Sequence, residues 1–137
     1  MQTVLAILIG IHGLITAAIG AGTMSGAPTT PDMGKLPGVA WYPVPLGESW
    51  LLRGGVAQFG GALWIAAGIG LVLTAASVSG LVMPGAWRQI GLVSGTLGLI
   101  GLALFFHPYY VLAIAADLAI VAAATIMEPT TRRLLGF

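Results

Sequence analysis

Few side chains in this sequence can carry chemistry. Its 137 residues include two histidines, four carboxylates, five lysines and arginines, and no cysteine. One carboxylate, Asp117, lies inside the apolar run "YYVLAIAADLAIVAAATIM". An acid at the centre of a membrane helix costs ~2.5–3.5 kcal/mol on insertion scales, so it normally faces inward toward a polar partner. Counted from Tyr109, Asp117 lies about 12 Å along a helix rising 1.5 Å per residue. His12 sits near the middle of another apolar run, at a similar depth from the same end. A His12–Asp117 pair is therefore sterically reasonable. Such a pair is either proton-active, a polar anchor for a ligand head group, or a hydrogen bond that fixes helix packing.

The other candidates are Gln58, Glu48, Arg53, His107 and Tyr110. Gln58 lies inside the second apolar run, where it is placed to hydrogen-bond between helices or to Asp117. Glu48 and Arg53 bracket the start of that run, with Ser49 as a candidate N-cap and Glu48 suited to the helix dipole. His107 and Tyr110 belong to the segment "FFHPYY". They are either rim residues of a site shared with Glu48 and Arg53, or interfacial residues of the aromatic belt. No P-loop, strand-linked GxGxxG, HExxH or GxSxG is present. Two histidines at opposite ends of the chain make no metal-ligand pattern, and the lack of cysteine excludes disulfides and thiolate sites. No catalytic constellation is assembled by spacing, so an enzymatic role is not the expectation.

Composition says what must position these residues. The chain is 58% hydrophobic and 7% charged, against about 25% charged in soluble domains. A polar outer surface cannot be built from so few charges, so the bilayer is the expected solvent. The net charge of +1 gives no basic field for nucleic acid.

A membrane-spanning helix needs ~20 mostly apolar residues. Stretches 3–21, 51–77, 90–106 and 109–127 meet this requirement. The expected fold is all-α: a single domain over residues 1–137, with four transmembrane helices in an antiparallel bundle. The first stretch lacks Lys and Arg in its leading residues, and its apolar run exceeds the ~7–15 residues of a signal sequence. It is therefore read as a retained helix. The connection 22–50 holds Pro28, Pro31, Pro37, Pro43 and Pro45. Proline at this density forbids a long helix, and loops above ~12–15 residues are usually functional or disordered. Trp41, Tyr42 and Trp50 favour an ordered loop packed over the bundle mouth. Pro108 starts a helix well and disfavours helix in the residue before it, so the third and fourth stretches should form a tight hairpin.

Arg88, Arg132 and Arg133 fall on one side of a four-span chain, and Lys35 and Arg53 on the other. The positive-inside rule then places both termini in the cytoplasm, in a prokaryotic-type inner or plasma membrane. Glycines at 61, 68, 91, 95, 98 and 101 offer small faces for close helix approach. Gly61, Gly91 and Gly95 are the faces through which a protein partner or a second copy would pack.

The second apolar segment reads "LLRGGVAQFGGALWIAAGIGLVLT", and the first contains "HG" at His12–Gly13. An arginine-then-glycine opening, a polar residue, a Gly-Gly pair and a small-residue helix resemble the small four-helix membrane proteins of the DoxX-like kind. The resemblance covers about a third of the chain. The long proline-rich loop and the "HPYY" hairpin depart from it. Some members of such families are accessory subunits of redox or quinone-related complexes, so the resemblance implies a similar association and transfers no catalytic residue.

The expected function is thus an accessory or assembly subunit of a larger membrane complex. One alternative is a binder or carrier of a lipid or quinone-like molecule, held near His12, Asp117 and Gln58. Another is a small proton-coupled transporter or enzyme using Asp117. Membrane lipids are the expected surroundings, and a bound lipid or quinone is the only cofactor-like group anticipated.

Overall fold

Small residues decide where the helices of this chain meet. The computed structural model describes residues 1–24, 54–104, 106 and 110–136, with 54–57 described by backbone alone. All regular structure among the described residues is helical: α1 (Gln2–Met24), α2 (Gly54–Val78), α3 (Trp87–Leu104), α4 (Val111–Ala124) and α5 (Glu128–Leu135), with a 3₁₀ turn at Pro84–Ala86 before α3. Three helices are long and apolar enough to cross a membrane, or up to four if α4 and α5 count as one bent span. The expected outer loop and the His107–Pro108 turn lie outside the described residues.

The expected fourth helix over 109–127 needs correction. Its regular part ends at Ala124, and α5 leaves at 92° after a short turn. The cause is local. Pro129 has no N–H to offer the carbonyl of Thr125 and its ring crowds that carbonyl, so the ladder of α4 stops and α5 restarts with the proline in its first turn. Arg88 on α3 meets the freed end of α4, its Nε donating to Ala124 O at 2.8 Å. Within α5, Arg132 pairs with Glu128 one turn earlier. Leu135 is buried in a cluster with Ala6, Val78, Trp87 and Ala124, so one side of this amphipathic helix anchors the corner.

Helices α1 and α2 run antiparallel with their backbones in contact. A Cβ on Gly13 would sit 2.8 Å from Gly68 O, and one on Gly68 would sit 2.6 Å from Gly13 O. One turn pair along, Gly20 and Gly61 stand in the same reciprocal relation at 2.6 and 2.8 Å. The spacing of seven residues on each helix keeps this glycine seam on one face. The opposite face of α1 exposes Val4, Ile7, Leu8, Ile11, Leu14 and Ile15. Its periodicity is that of an amphipathic helix turned inside out, with small residues inward and large apolar ones outward, as lipid-facing helices are built.

The interface of α2 with α3 is also small. A Cβ on Gly70 would meet Ser94 Cβ at 2.6 Å, and one on Gly101 would meet Trp64 Nε1 at 2.8 Å. Thr74 and Ser94 are buried there with hydroxyl oxygens 3.4 Å apart, and each donates back into its own helix at 2.8 Å. Gly91 and Gly95 receive Thr74, Ile120 and Val121. Gly61, Gly91 and Gly95 are therefore buried by other helices of the same chain, so any partner would meet a different surface.

Each helix packs on its neighbour in sequence, whereas α1 and α4 barely meet. The bundle keeps an open seam between them.

Candidate functional site

The seam is crossed by one polar contact. His12 Nε2 lies 3.0 Å from Asp117 Oδ1. His12 is half a helix into α1, about 15 Å from Gln2 at 1.5 Å per residue. Asp117 is about 9 Å into α4 by the same rise. Its side chain is 1% exposed, against 16% for His12. Which of the two groups donates across this contact depends on the imidazole tautomer.

Gly98 on α3 makes room for the acid. A Cβ at that position would fall on Asp117 Oδ2 and would stand 2.9 Å from Cγ. The carboxylate is therefore held from two sides, by the imidazole of α1 and by the bare backbone of α3. No other hydrogen bond reaches Asp117 from the described residues. A buried carboxylate accepting one hydrogen bond has unused acceptor capacity.

Two cavities adjoin this contact. A chamber of ≈ 40 Å³ is lined by His12, Ile15, Thr16, Ile19, Trp64, Gly98, Leu102, Tyr110, Ala113 and Asp117. A water needs roughly 10–15 Å³ by this measure, so the chamber has room for two or three waters or one small polar group. The Thr16 hydroxyl donates to His12 O at 2.8 Å, which directs its lone pairs away from its own helix. Trp64 and Tyr110 form an edge-to-face pair, with ring centroids 5.5 Å apart and planes at 62°. On the other side of His12 lies an apolar cleft of ≈ 300 Å³ between Leu5, Leu8 and Ile9 of α1 and Ala116, Ala119, Ile120 and Ala123 of α4. Thr131 and Leu135 of α5 line its far end. His12 lines both spaces, so it stands between the small chamber that holds Asp117 and a larger apolar cleft.

Of the candidates read from the sequence, His12, Asp117 and Tyr110 come together. Tyr110 is 3% exposed and packs on Trp64, so it is a wall of the chamber and not a belt residue. Gln58 does not join them. It is exposed little more than a turn after the start of α2 and lines neither space. Glu48, Arg53 and His107 lie outside the described residues. Among the described residues, no group of three or more His, Cys, Asp or Glu side chains could hold a metal ion.

Sequence reasoning missed Thr16, Trp64 and Gly98 as parts of one site. Thr16 follows His12 by one turn, a signal available in the sequence. Gly98 had been read only as packing, because nothing in the sequence shows which side chain a glycine receives.

The fold and site define an all-helical chain with a buried imidazole–carboxylate pair in an open helix seam. No family model, curated protein or solved structure matches it. The DoxX-like resemblance therefore rests on the quoted residues alone.

Proposed function

We propose that the protein is an integral membrane protein that binds a lipid- or quinone-like amphiphile in the seam between α1 and α4. Its polar end meets His12 and Asp117, and its apolar part lies in the cleft. The observation that carries this reading is the apolar cleft of ≈ 300 Å³ ending on His12. Ligand sites are typically ~300–1,000 Å³, mostly apolar, with a few convergent polar groups. In this reading α4 is the fourth crossing. Its 14 residues span about 21 Å at 1.5 Å per residue, less than the ~30 Å hydrocarbon core. The turn into α5 then reaches the interface early, and α5 lies along it with Arg132 and Arg133 toward the head groups. Both termini are cytoplasmic in this arrangement.

Native mass spectrometry from lipid nanodiscs tests the reading. The wild-type chain should retain one amphiphile. Ala119→Phe, which fills the cleft from α4, should lose it while keeping its helix content. A wild-type spectrum with no small molecule bound, unchanged in Ala119→Phe, would sink the idea.

The accessory-subunit reading ranks second. Its support is the exposed stripe of Val4, Ile7, Leu8, Ile11, Leu14 and Ile15 on α1, which lipid covers equally well. Proton-coupled transport or chemistry at Asp117 draws on the same His12–Asp117 contact and on nothing else.

A further inference from the structure

We propose that the end of the bundle built by α5 and the α2–α3 turn is a docking surface for anionic phospholipid head groups, with Arg132 and Arg133 as its main contacts. The proposal rests on the reading of the chain as an integral membrane protein and is independent of what occupies the seam.

One layer of packing defines this end. Val78 at the end of α2, Trp87 at the start of α3, Ala124 at the end of α4 and Leu135 of α5 cluster with Ala6 of α1. Gln2 Nε2 donates to Val78 O at 2.5 Å in the same layer. Apart from Asp117 in the seam, every Asp, Glu, Lys and Arg among the described residues is at this end. Arg88, Arg132 and Arg133 are exposed, and Glu128 is the one acid beside them. Glu128 pairs with Arg132, which leaves the arginines in excess. Arg88 uses only its Nε on Ala124 O. That bond fixes the guanidinium beside the α4–α5 corner and leaves it four further N–H donors. Planar guanidinium groups match phosphate oxygens in charge and in fork geometry.

Apolar side chains are interleaved with these arginines. Ile126, just before α5, is 87% exposed, and Leu81 in the α2–α3 turn is 80% exposed. Leu134 follows Arg133 and is also exposed. The boundary between acyl chains and head groups buries such side chains and meets guanidinium with phosphate. Chain geometry favours this partner over an acidic protein. Three residues separate α5 from α4, and α5 departs at 92°. A helix perpendicular to a spanning one stays at a single depth, so all eight residues of α5 run along the plane where α4 ends. Head groups are then the nearest partners of Arg132 and Arg133. An anionic leaflet favours each nearby arginine by about fivefold in partitioning.

The test holds the full chain in nanodiscs of equimolar phosphatidylcholine and phosphatidylglycerol with matched acyl chains. Native mass spectrometry then counts the lipids retained on the protein. The wild-type chain should retain phosphatidylglycerol over phosphatidylcholine by about fivefold. Arg132→Gln combined with Arg133→Gln should bring that ratio to within about twofold of one. Arg133→Gln alone leaves the Arg132–Glu128 pair intact and should give an intermediate ratio. Ala119→Phe, in the cleft, should keep the wild-type preference. Equal retention of the two lipids by the wild-type chain overturns the proposal, and is the result expected if the arginines serve an acidic protein. A preference that survives the double substitution also overturns it. If Ala119→Phe abolishes that surviving preference, the anionic lipid belongs to the seam, and the seam reading stands while the docking surface falls. A chain that retains no lipid and stays in solution without detergent removes the membrane reading itself, and the docking surface with it.

Discussion

Gly98→Ala offers the most direct test of how the carboxylate is held. The added methyl would fall on Asp117 Oδ2 and lie 2.9 Å from Cγ. Backbone retreat is restricted because the same face of α3 is packed through Gly95, where a Cβ would meet Val121 Cγ2 at 3.0 Å. The Asp117 side chain must turn away, and the contact with His12 goes with it. Overpacking costs about 1–3 kcal/mol. Hydrogen bonds between membrane helices average ~0.6 and reach ~1.7 kcal/mol. Against these, Ala gains roughly 1 kcal/mol of helix propensity over Gly. The net expectation is a loss of about 1–4 kcal/mol. Gly91→Ala is the control. Its Cβ would meet two methyl groups first, Thr74 Cγ2 at 3.2 Å and Ile120 Cγ2 at 3.5 Å, with Thr74 Oγ1 at 3.7 Å and no backbone atom among them, so its effect should stay within about 1 kcal/mol of zero.

Reversible unfolding by steric trapping in bicelles reads both values, and a double-mutant cycle isolates the cause. With Asp117→Ala in the background there is no carboxylate to displace. The Gly98→Ala penalty should then fall to that of Gly91→Ala. Distant, uncoupled sites add to within about 0.3–0.5 kcal/mol. A Gly98→Ala penalty that is the same in both backgrounds within that margin would refute the argument that Gly98 exists to seat Asp117.

Two further outcomes are expected. Gly68→Ala should disrupt the α1–α2 pair far more than Gly10→Ala, because its Cβ would meet backbone at 2.5 and 2.6 Å while Gly10 would meet only Ala75 Cβ at 3.6 Å. Comparing their unfolding free energies checks this, and equal values would contradict a backbone-contact seam. The chain has no native cysteine, so Ser79→Cys reports the side of the α2–α3 turn. An impermeant maleimide should label it only after the cells are permeabilised if the termini are cytoplasmic, and labelling of intact cells reverses the orientation.

The helices were legible because composition and run length suffice to identify them. The contact of His12 with Asp117 was approachable for the same reason, since depth along two helices is arithmetic. Other features were not legible. Pro129 stood in plain sight, but the apolar run "AAATIM" hid the break before it, because hydropathy does not register a missing N–H. Tyr110 looked interfacial from its place beside Pro108, and only the fold turns it onto Trp64. Gln58 looked central from its place inside an apolar run, and only the fold shows its side chain exposed. Gly61, Gly91 and Gly95 were recognisable as packing glycines, but a glycine face does not state whether its partner is another chain or the next helix.

The position of the polar pair bears on its purpose. A hydrogen bond recruited only to fix packing does most where two helices already touch, since it then selects among registers of a formed interface. Small polar residues do sit at such a packed surface here, with the Thr74 and Ser94 hydroxyl oxygens 3.4 Å apart between α2 and α3. The His12–Asp117 contact differs because α1 and α4 barely meet apart from it. It spans a gap and reinforces no packed surface. Larger side chains than Ala116, Ala119 and Ala123 would close that gap at no polar cost. Instead, small residues line the α4 side, an acid lies above them at 1% exposure, and a glycine on α3 yields space to the acid. Packing economy alone would select none of these three. The proposed amphiphile would account for all of them together: the alanines would leave room for its chain, Asp117 would meet its head, and Gly98 would keep the carboxylate within reach of that head.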